Sequence, residues 1–264
     1  MKYPAWPGIF DIPPMHGRPI QTEAFVLTRK PPADRFQQLT VFSAQHGSLL
    51  CLRRLATKSA PISAILDLFD ETDLWLESSN EGRTWFIKEA RVLARHDAIG
   101  RSYDTLRLAS AFAAIIARNP VHEESQEGVY SLLRQTFTAF GSTPRSDLVY
   151  LKALYCFARD EGYPVKQEWW QGLPAAVRAS AAEMLNQPVA DQTVAPAAVA
   201  HLTSQLEDYL RTHTEILLEE GCSTCGEDLT WSFPVWARTR CPLFHPACLA
   251  VVQPRFRSWG FRSS

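Results

Sequence analysis

Residues 23–59 read EAFVLTRKPPADRFQQLTVFSAQHGSLLCLRRLATKS, and the fold turns on how this stretch is divided. TEAFVLTRK (22–30) is strand-like, and PPADRF (31–36) breaks it. QQLTVFSAQ (37–45) resumes with alternation, Leu39, Val41 and Phe42 being its apolar members. His46-Gly47 is a turn, and SLLCLRRLA (48–56) follows. Further on, AILDLFDETDLWLES (64–78) and TWFIKEARVLARH (84–96) flank the turn SNEGR (79–83), with a longer loop near 57–61. Five strands with short polar turns within about seventy-five residues predict a small barrel, for which the OB-fold is the leading candidate.

The pattern then changes period. SYDTLRLASAFAAIIARN (102–119) starts at a Ser102 cap, stops at Asn119-Pro120, and places Leu106, Ala109, Ala113 and Ile116 at helical spacing. EESQEGVYSLLRQTFTAF (123–140) is a second helix. TPRSDLVYLKALYCFARDEG (143–162) is a third, with Thr143 as cap, Pro144 in the first turn and Gly162 as stop. PAAVRASAAEMLNQ (174–187) is shorter, PVADQTVAPAA (188–198) reads as a loop, and APAAVAHLTSQLEDYLRTHTEILLEEG (195–221) is a long helix ending at Gly221. Strands first and helices after predict a segregated α+β protein. The expected divisions are an irregular arm (1–20), an OB-fold domain (21–100), a helical domain (101–220) and a C-terminal module (221–264).

Composition is that of a globular protein: of 264 residues, 46% are apolar and 21% charged, with a net charge of −1. Electrostatic arguments must therefore rest on local patches. No run approaches the roughly eighteen apolar residues of a membrane helix. The Pro-rich N-terminus has no continuous apolar core of signal-peptide length, so a cytoplasmic protein is expected. No phosphate-cradling glycine loop, H-E-x-x-H or G-x-S-x-G is present, and His46, His96, His122, His201 and His213 are scattered, so no enzymatic activity is expected. His46 reads as a turn residue, Cys51 and Cys156 as core. EWW (168–170) reads as buried aromatics or as an exposed docking point.

Charge is partitioned within the strand region. Residues 18–58 hold seven bases (Arg18, Arg29, Lys30, Arg35, Arg53, Arg54, Lys58) against two acids (Glu23, Asp34), while 59–82 hold six acids and no base. A basic stripe on an OB-like sheet, with Phe25, Phe36 and Phe42 for stacking, is how such barrels hold single-stranded nucleic acid. The plainer alternative is a solvated basic face with the phenylalanines in the core.

The quoted 23–59 stretch also resembles the opening of RecO, the bacterial recombination mediator. The likeness lies in an E-A-x-V-L strand, a loop containing Asp-Arg, an L-T-V-F-S strand, QHG, and a basic loop ending in Lys-Ser. LFDETDLWLES, TLRLASAFAAIIARN, DLVYLKALYCFARDEGYPV and LEDYLRTH continue it in order over roughly residues 20–218. The resemblance implies an OB-fold followed by a helical domain, binding of single- and double-stranded DNA, annealing of complementary strands, and work with RecR and the single-strand-binding protein near the nucleoid. It carries over a basic loop of Arg53, Arg54 and Lys58, faced by Arg29, Lys30 and Arg35. Many RecO proteins have a zinc module directly after the Gly-Tyr helix end; here GYPVKQEWWQGLP (162–174) contains no cysteine. The alternative from another class is a zinc-dependent protein-interaction adaptor that does not bind DNA.

Four of the six cysteines crowd into residues 222–248, which favours metal over a disulfide framework. CSTC (222–225) and RCPLFHPAC (240–248) offer Cys222, Cys225, Cys241, His245 and Cys248 for four tetrahedral places. The preferred set is Cys222, Cys225, His245 and Cys248, because H-x2-C mirrors the first knuckle; Cys241 is the alternative third ligand. Knuckle, hairpin-like EDLTWSFPVWARTR and a helix start at HPACLAVV together resemble a treble-clef finger. So short a segment cannot bury enough apolar area to fold alone. A structural zinc supplies on the order of 10 kcal/mol in such modules. Beyond it, PRFRSWGFRSS (254–264) interleaves Arg255 and Arg257 with Trp259, a second candidate DNA contact, the plainer alternative being a disordered end whose aromatics dock on the protein's own surface. The purified chain should hold one zinc, lost in Cys222→Ser and His245→Ala but kept in Cys241→Ser. Metal analysis giving the reverse for the last two variants would make the site all-cysteine.

Overall fold

Strand β1 (Ile20–Arg29) sends its alternate side chains into two different cores. Ala24 and Val26 face one, Phe25 and Leu27 the other, the period-two consequence of a pleated strand buried on both sides. The computed structural model describes residues 19–33, 35–55, 65–79 and 82–218. Most of the expected N-terminal arm, Lys58, the five candidate zinc ligands, and Arg255, Arg257 and Trp259 of the tail lie outside the described residues.

The five expected strands are present: β1, β2 (Phe36–Ser43), β3 (Gly47–Arg54), β4 (Glu71–Ser79) and β5 (Thr84–Ala94). They form a closed barrel in the order β1-β2-β3-β5-β4, with β3 and β5 parallel and the other pairs antiparallel. Closure depends on β1, whose first half pairs with β4 (Ile20↔Leu76 to Phe25↔Glu71) and whose second half pairs with β2 (Ala24↔Ser43 to Arg29↔Leu39). Serving both neighbours in turn lets β1 close the barrel, while β3 and β5 meet over three residue pairs, Cys51↔Trp85 to Arg53↔Ile87. Ala24, Val26, Leu39, Val41, Leu49, Cys51, Leu66, Leu74 and Leu76 fill the interior. The architecture is α+β and OB-like.

The expected fourth strand is shorter than AILDLFDETDLWLES. Before Glu71, Asp70 accepts the Asp67 amide at 2.9 Å and Asp67 accepts the Leu68 amide at 2.8 Å, so side chains occupy amides a strand would use. Phe69 there takes φ 67°, a left-handed conformation costly for a side chain with a Cβ. Its ring is buried 5.0 Å from that of Phe137, which holds it in place.

Helices α1 (Tyr103–Arg118), α2 (Gln126–Ser142), α3 (Ser146–Asp160), a π-helical turn (Val165–Trp169) running into the short α4 (Trp170–Gly172), α5 (Ala175–Asn186) and α6 (Pro196–His213) follow. Ser102 caps α1 as expected, accepting from the Thr105 amide. Gly162, at φ 86°, ends the turn after α3. Thr143 does not cap α3: it closes α2, and α3 starts at Ser146, where Arg145 forms an ion pair with Asp147 at 2.9 Å. The last helix stops at His213 rather than Gly221. Thr214 turns its hydroxyl back to the Leu210 carbonyl, and Asn119 takes the Leu217 backbone on both sides, accepting its N–H at 2.7 Å and donating to its carbonyl at 3.1 Å. The local sequence pattern does not mark the π-turn through Trp169.

Barrel and helices belong to one compact unit, and the expected division at 100/101 separates strands from helices without separating cores. Phe25, Leu27, Phe42 and Phe69 pack with Phe112, Tyr130, Phe137 and Phe140 of the helices. The Glu71 carboxylate, at the start of β4, accepts from Tyr130 Oη at 3.0 Å and from both Nε and Nη2 of Arg134. Among the described residues, no helix is long and apolar enough to cross a membrane.

His96 packs against the rings of Phe25 and Phe137, at 6.3 and 5.9 Å. Burial lowers its pKa, opposed by the charges of Glu71 and Asp97. A histidine depressed in the fold takes up its proton more readily unfolded. Its contribution is therefore complete above an unfolded pKa of about 6.5 and is lost as pH falls through the lower folded value. The urea midpoint should drop between pH 7 and pH 5, and drop less in His96→Gln. Equal drops would remove His96 from the acid response.

Candidate nucleic-acid interface

The helices cover the barrel end where β2 stops and β3 starts. There Gly47 lies so close to α2 that an added Cβ would stand 2.9 Å from Gln126 Nε2, and φ 61° suits glycine. His46 sits in the turn beside it, as expected. The candidate bases gather toward the other end, where β2 begins, β3 finishes and β5 starts.

Alternation splits the neighbouring arginines. In the β2–β3 ladder Arg54 stands opposite Phe36, and Arg53 opposite the buried Gln37. Arg54 is exposed, whereas Arg53 is half-buried on the side of Cys51. Burial lowers the Arg53 pKa, and the charge of Arg29 adds to the effect. Arg29 is itself committed: its side chain is 14% exposed, forms an ion pair with Asp67 at 3.4 Å and donates to the Leu66 carbonyl. Lys30 and Arg35 are exposed. Arg35 is carried on a tight turn closed by paired bonds between Ala33 and Phe36 of 2.9 and 3.0 Å. The six barrel candidates thus divide into exposed Lys30, Arg35 and Arg54, half-buried Arg29 and Arg53 at the rim, and Lys58 outside the described residues.

The stacking candidates divide as well. Phe25 and Phe42 are fully buried against the helices and unavailable to a ligand, because their side of the sheet is covered. Phe36 is 36% exposed. The structure adds a residue that the charge pattern did not single out: Phe86 of β5, whose ring centroid is 5.8 Å from that of Phe36. Its signal was in the sequence. Trp85 and Ile87 pack toward the interior, so the apolar residue between them must face outward.

Asp67 and Asp70 precede β4, and the strand acids lie on the outer surface of β1, β4 and β5, where Asp73 pairs with Arg91 at 3.2 Å and Glu77 with Lys88. The barrel therefore carries one sector whose exposed charges are cations and another in which acids and bases pair around exposed Trp75. Cys51 is buried and its thiol is pushed up to about 12 by burial, making it an inert core residue. Trp169 of EWW is buried and Trp170 half-buried, in line with the core reading of that motif. Among the described residues no cluster of three or more His, Cys, Asp or Glu could hold a metal.

No protein-family model and no curated protein matches the chain. The likeness to RecO accordingly rests on the ordered motifs quoted above.

Exposed and committed arginines should behave differently. Arg35→Ala and Arg54→Ala should each lower the salt slope of single-strand binding by roughly 0.7 and leave the melting temperature unchanged. Arg29→Ala should lower the melting temperature, since it removes a largely buried side chain and frees the Leu66 carbonyl. An unchanged slope in both exposed variants would remove this sector from phosphate binding.

Proposed function

We propose that the chain is a DNA-binding recombination mediator of the RecO type. In this reading it binds single- and double-stranded DNA, anneals complementary strands and helps load a recombinase, with RecR and the single-strand-binding protein as partners in the cytoplasm. The observation that carries it is the closed OB-like barrel with exposed Lys30, Arg35 and Arg54 gathered at the end away from the helices. Barrels of this kind hold nucleic acid by pairing phosphates with such cations. The motif order along residues 20–218 supports the RecO assignment within that class. The zinc, one per chain, is structural in this reading, because four protein ligands leave no place for an activated water.

Annealing is the property that separates a mediator from a simple binder. Two complementary labelled oligonucleotides should pair faster with the protein than without it, and the advantage should fade as salt rises. Fluorescence anisotropy with the same strands at two salt concentrations reports binding directly. A chain that holds zinc but gives no salt-dependent anisotropy change is the protein-interaction adaptor instead.

A further inference from the structure

Phe36 and Phe86 meet diagonally across β3. Phe36 is level with Arg54 in the β2–β3 ladder, and Phe86 is level with Leu52 in the β3–β5 ladder. Their ring planes are inclined at 55°. Leu50, 37% exposed, continues the apolar strip along β3. Phe36, Phe86 and Leu50 form an apolar strip at outward positions of the sheet, beside exposed cations rather than among paired charges. Adjacent apolar side chains of this kind suit a ligand with apolar faces. The helices do not cover the strip, since they pack at the other end of β2 and β3.

Charge indicates what the occupant is. Exposed Arg54 stands directly opposite Phe36, and Arg35 precedes it in the chain. The acid level with Phe86, Glu77, is paired with Lys88. Cations for phosphates beside aromatic faces for bases are the two requirements of an unpaired strand. A duplex satisfies the first alone, because its bases are already stacked on each other.

We propose that Phe36 and Phe86 form a base-stacking platform that lets this barrel distinguish unpaired from paired strands. The proposal rests on the nucleic-acid reading above and adds to it the residues that set strand preference. The arginines bind either form through phosphate, and the phenylalanines add affinity for the single strand.

The test uses the full-length chain and the Phe36→Leu/Phe86→Leu double variant, which keeps the strip apolar but removes the ring faces. Three probes are compared by anisotropy: a thymidine oligonucleotide, an abasic strand of equal length, and a duplex. The double variant should bind the thymidine strand about tenfold more weakly, about 1.4 kcal/mol by the usual conversion. It should bind the duplex as wild type does, with an unchanged salt slope. Wild type should bind the abasic strand about as weakly as the double variant binds the thymidine strand. Arg54→Ala should weaken all three probes. Because the leucine pair could disturb the barrel, each single Phe→Leu variant is measured too, beside a thermal melt. If variants that melt like wild type bind the thymidine strand as tightly as wild type does, the rings are surface packing and the proposal falls, while the DNA-binding reading stands. If wild type binds none of the probes, the DNA-binding reading falls first and takes this inference with it.

Discussion

Phe25 stands on the outer side of the barrel wall, and the rings of Tyr130 and Phe137 reach it there, at 5.0 and 5.5 Å. Burying such a side chain contributes about 1.5–3 kcal/mol. Each aromatic pair adds roughly 0.5–1.5 kcal/mol beyond area. Phe25 pairs in register with Phe42 on one side and with Glu71 on the other, so one strand position gathers the apolar seam and its polar edge. At that edge the Glu71 carboxylate is nearly buried. It is tolerated because Tyr130 and Arg134 both donate to it, and the Arg134 guanidinium lies 5.1 Å from the centre of the Tyr130 ring. Removing Arg134 would leave the nearly buried carboxylate with the Tyr130 hydroxyl but without its charge partner, which costs more than the pair contributes.

This seam makes the two ends of the barrel unequal. Where the helices dock, outward-facing residues become core, and the Gly47 turn, at φ 61°, lies against the Gln126 side chain at the start of α2. At the other end the outward-facing residues stay in water, and there the exposed bases collect. Closure of the barrel serves the same asymmetry. A closed barrel offers little open edge for strand addition, so side chains on the outer wall and the rim are its main binding surface.

Much of the fold was legible because the periods of the sequence are clean. Five strands, the Ser102 cap, the Gly162 stop and the α5 segment all follow from local pattern. What local pattern missed was decided by side chains acting at a distance or against expectation. Asp67 and Asp70 took amides that the β4 run would have used, and Asn119 captured the chain at Leu217, ninety-eight positions away, after α6 had stopped at His213. The candidate site was legible as a charge imbalance, but not as a surface. Alternation alone shows that Arg53 and Arg54 must face opposite ways; it does not show that Arg29 is held by Asp67.

The four barrel phenylalanines make the limit of pattern reading concrete. Phe25, Phe42, Phe36 and Phe86 all stand on the outer side of the wall, since their strand neighbours Ala24, Val41, Trp85 and Ile87 pack toward the interior. Chemistry does not separate them. Position along the barrel axis does: the first two lie under the helices and are fully buried, and the other two lie beyond the reach of the helices. A sequence can show that a side chain faces outward from a strand, because that depends on parity. Whether outward means solvent or a second layer depends on where another element lands. In this chain that is fixed by Phe137 and Tyr130, more than a hundred positions after the strand they cover.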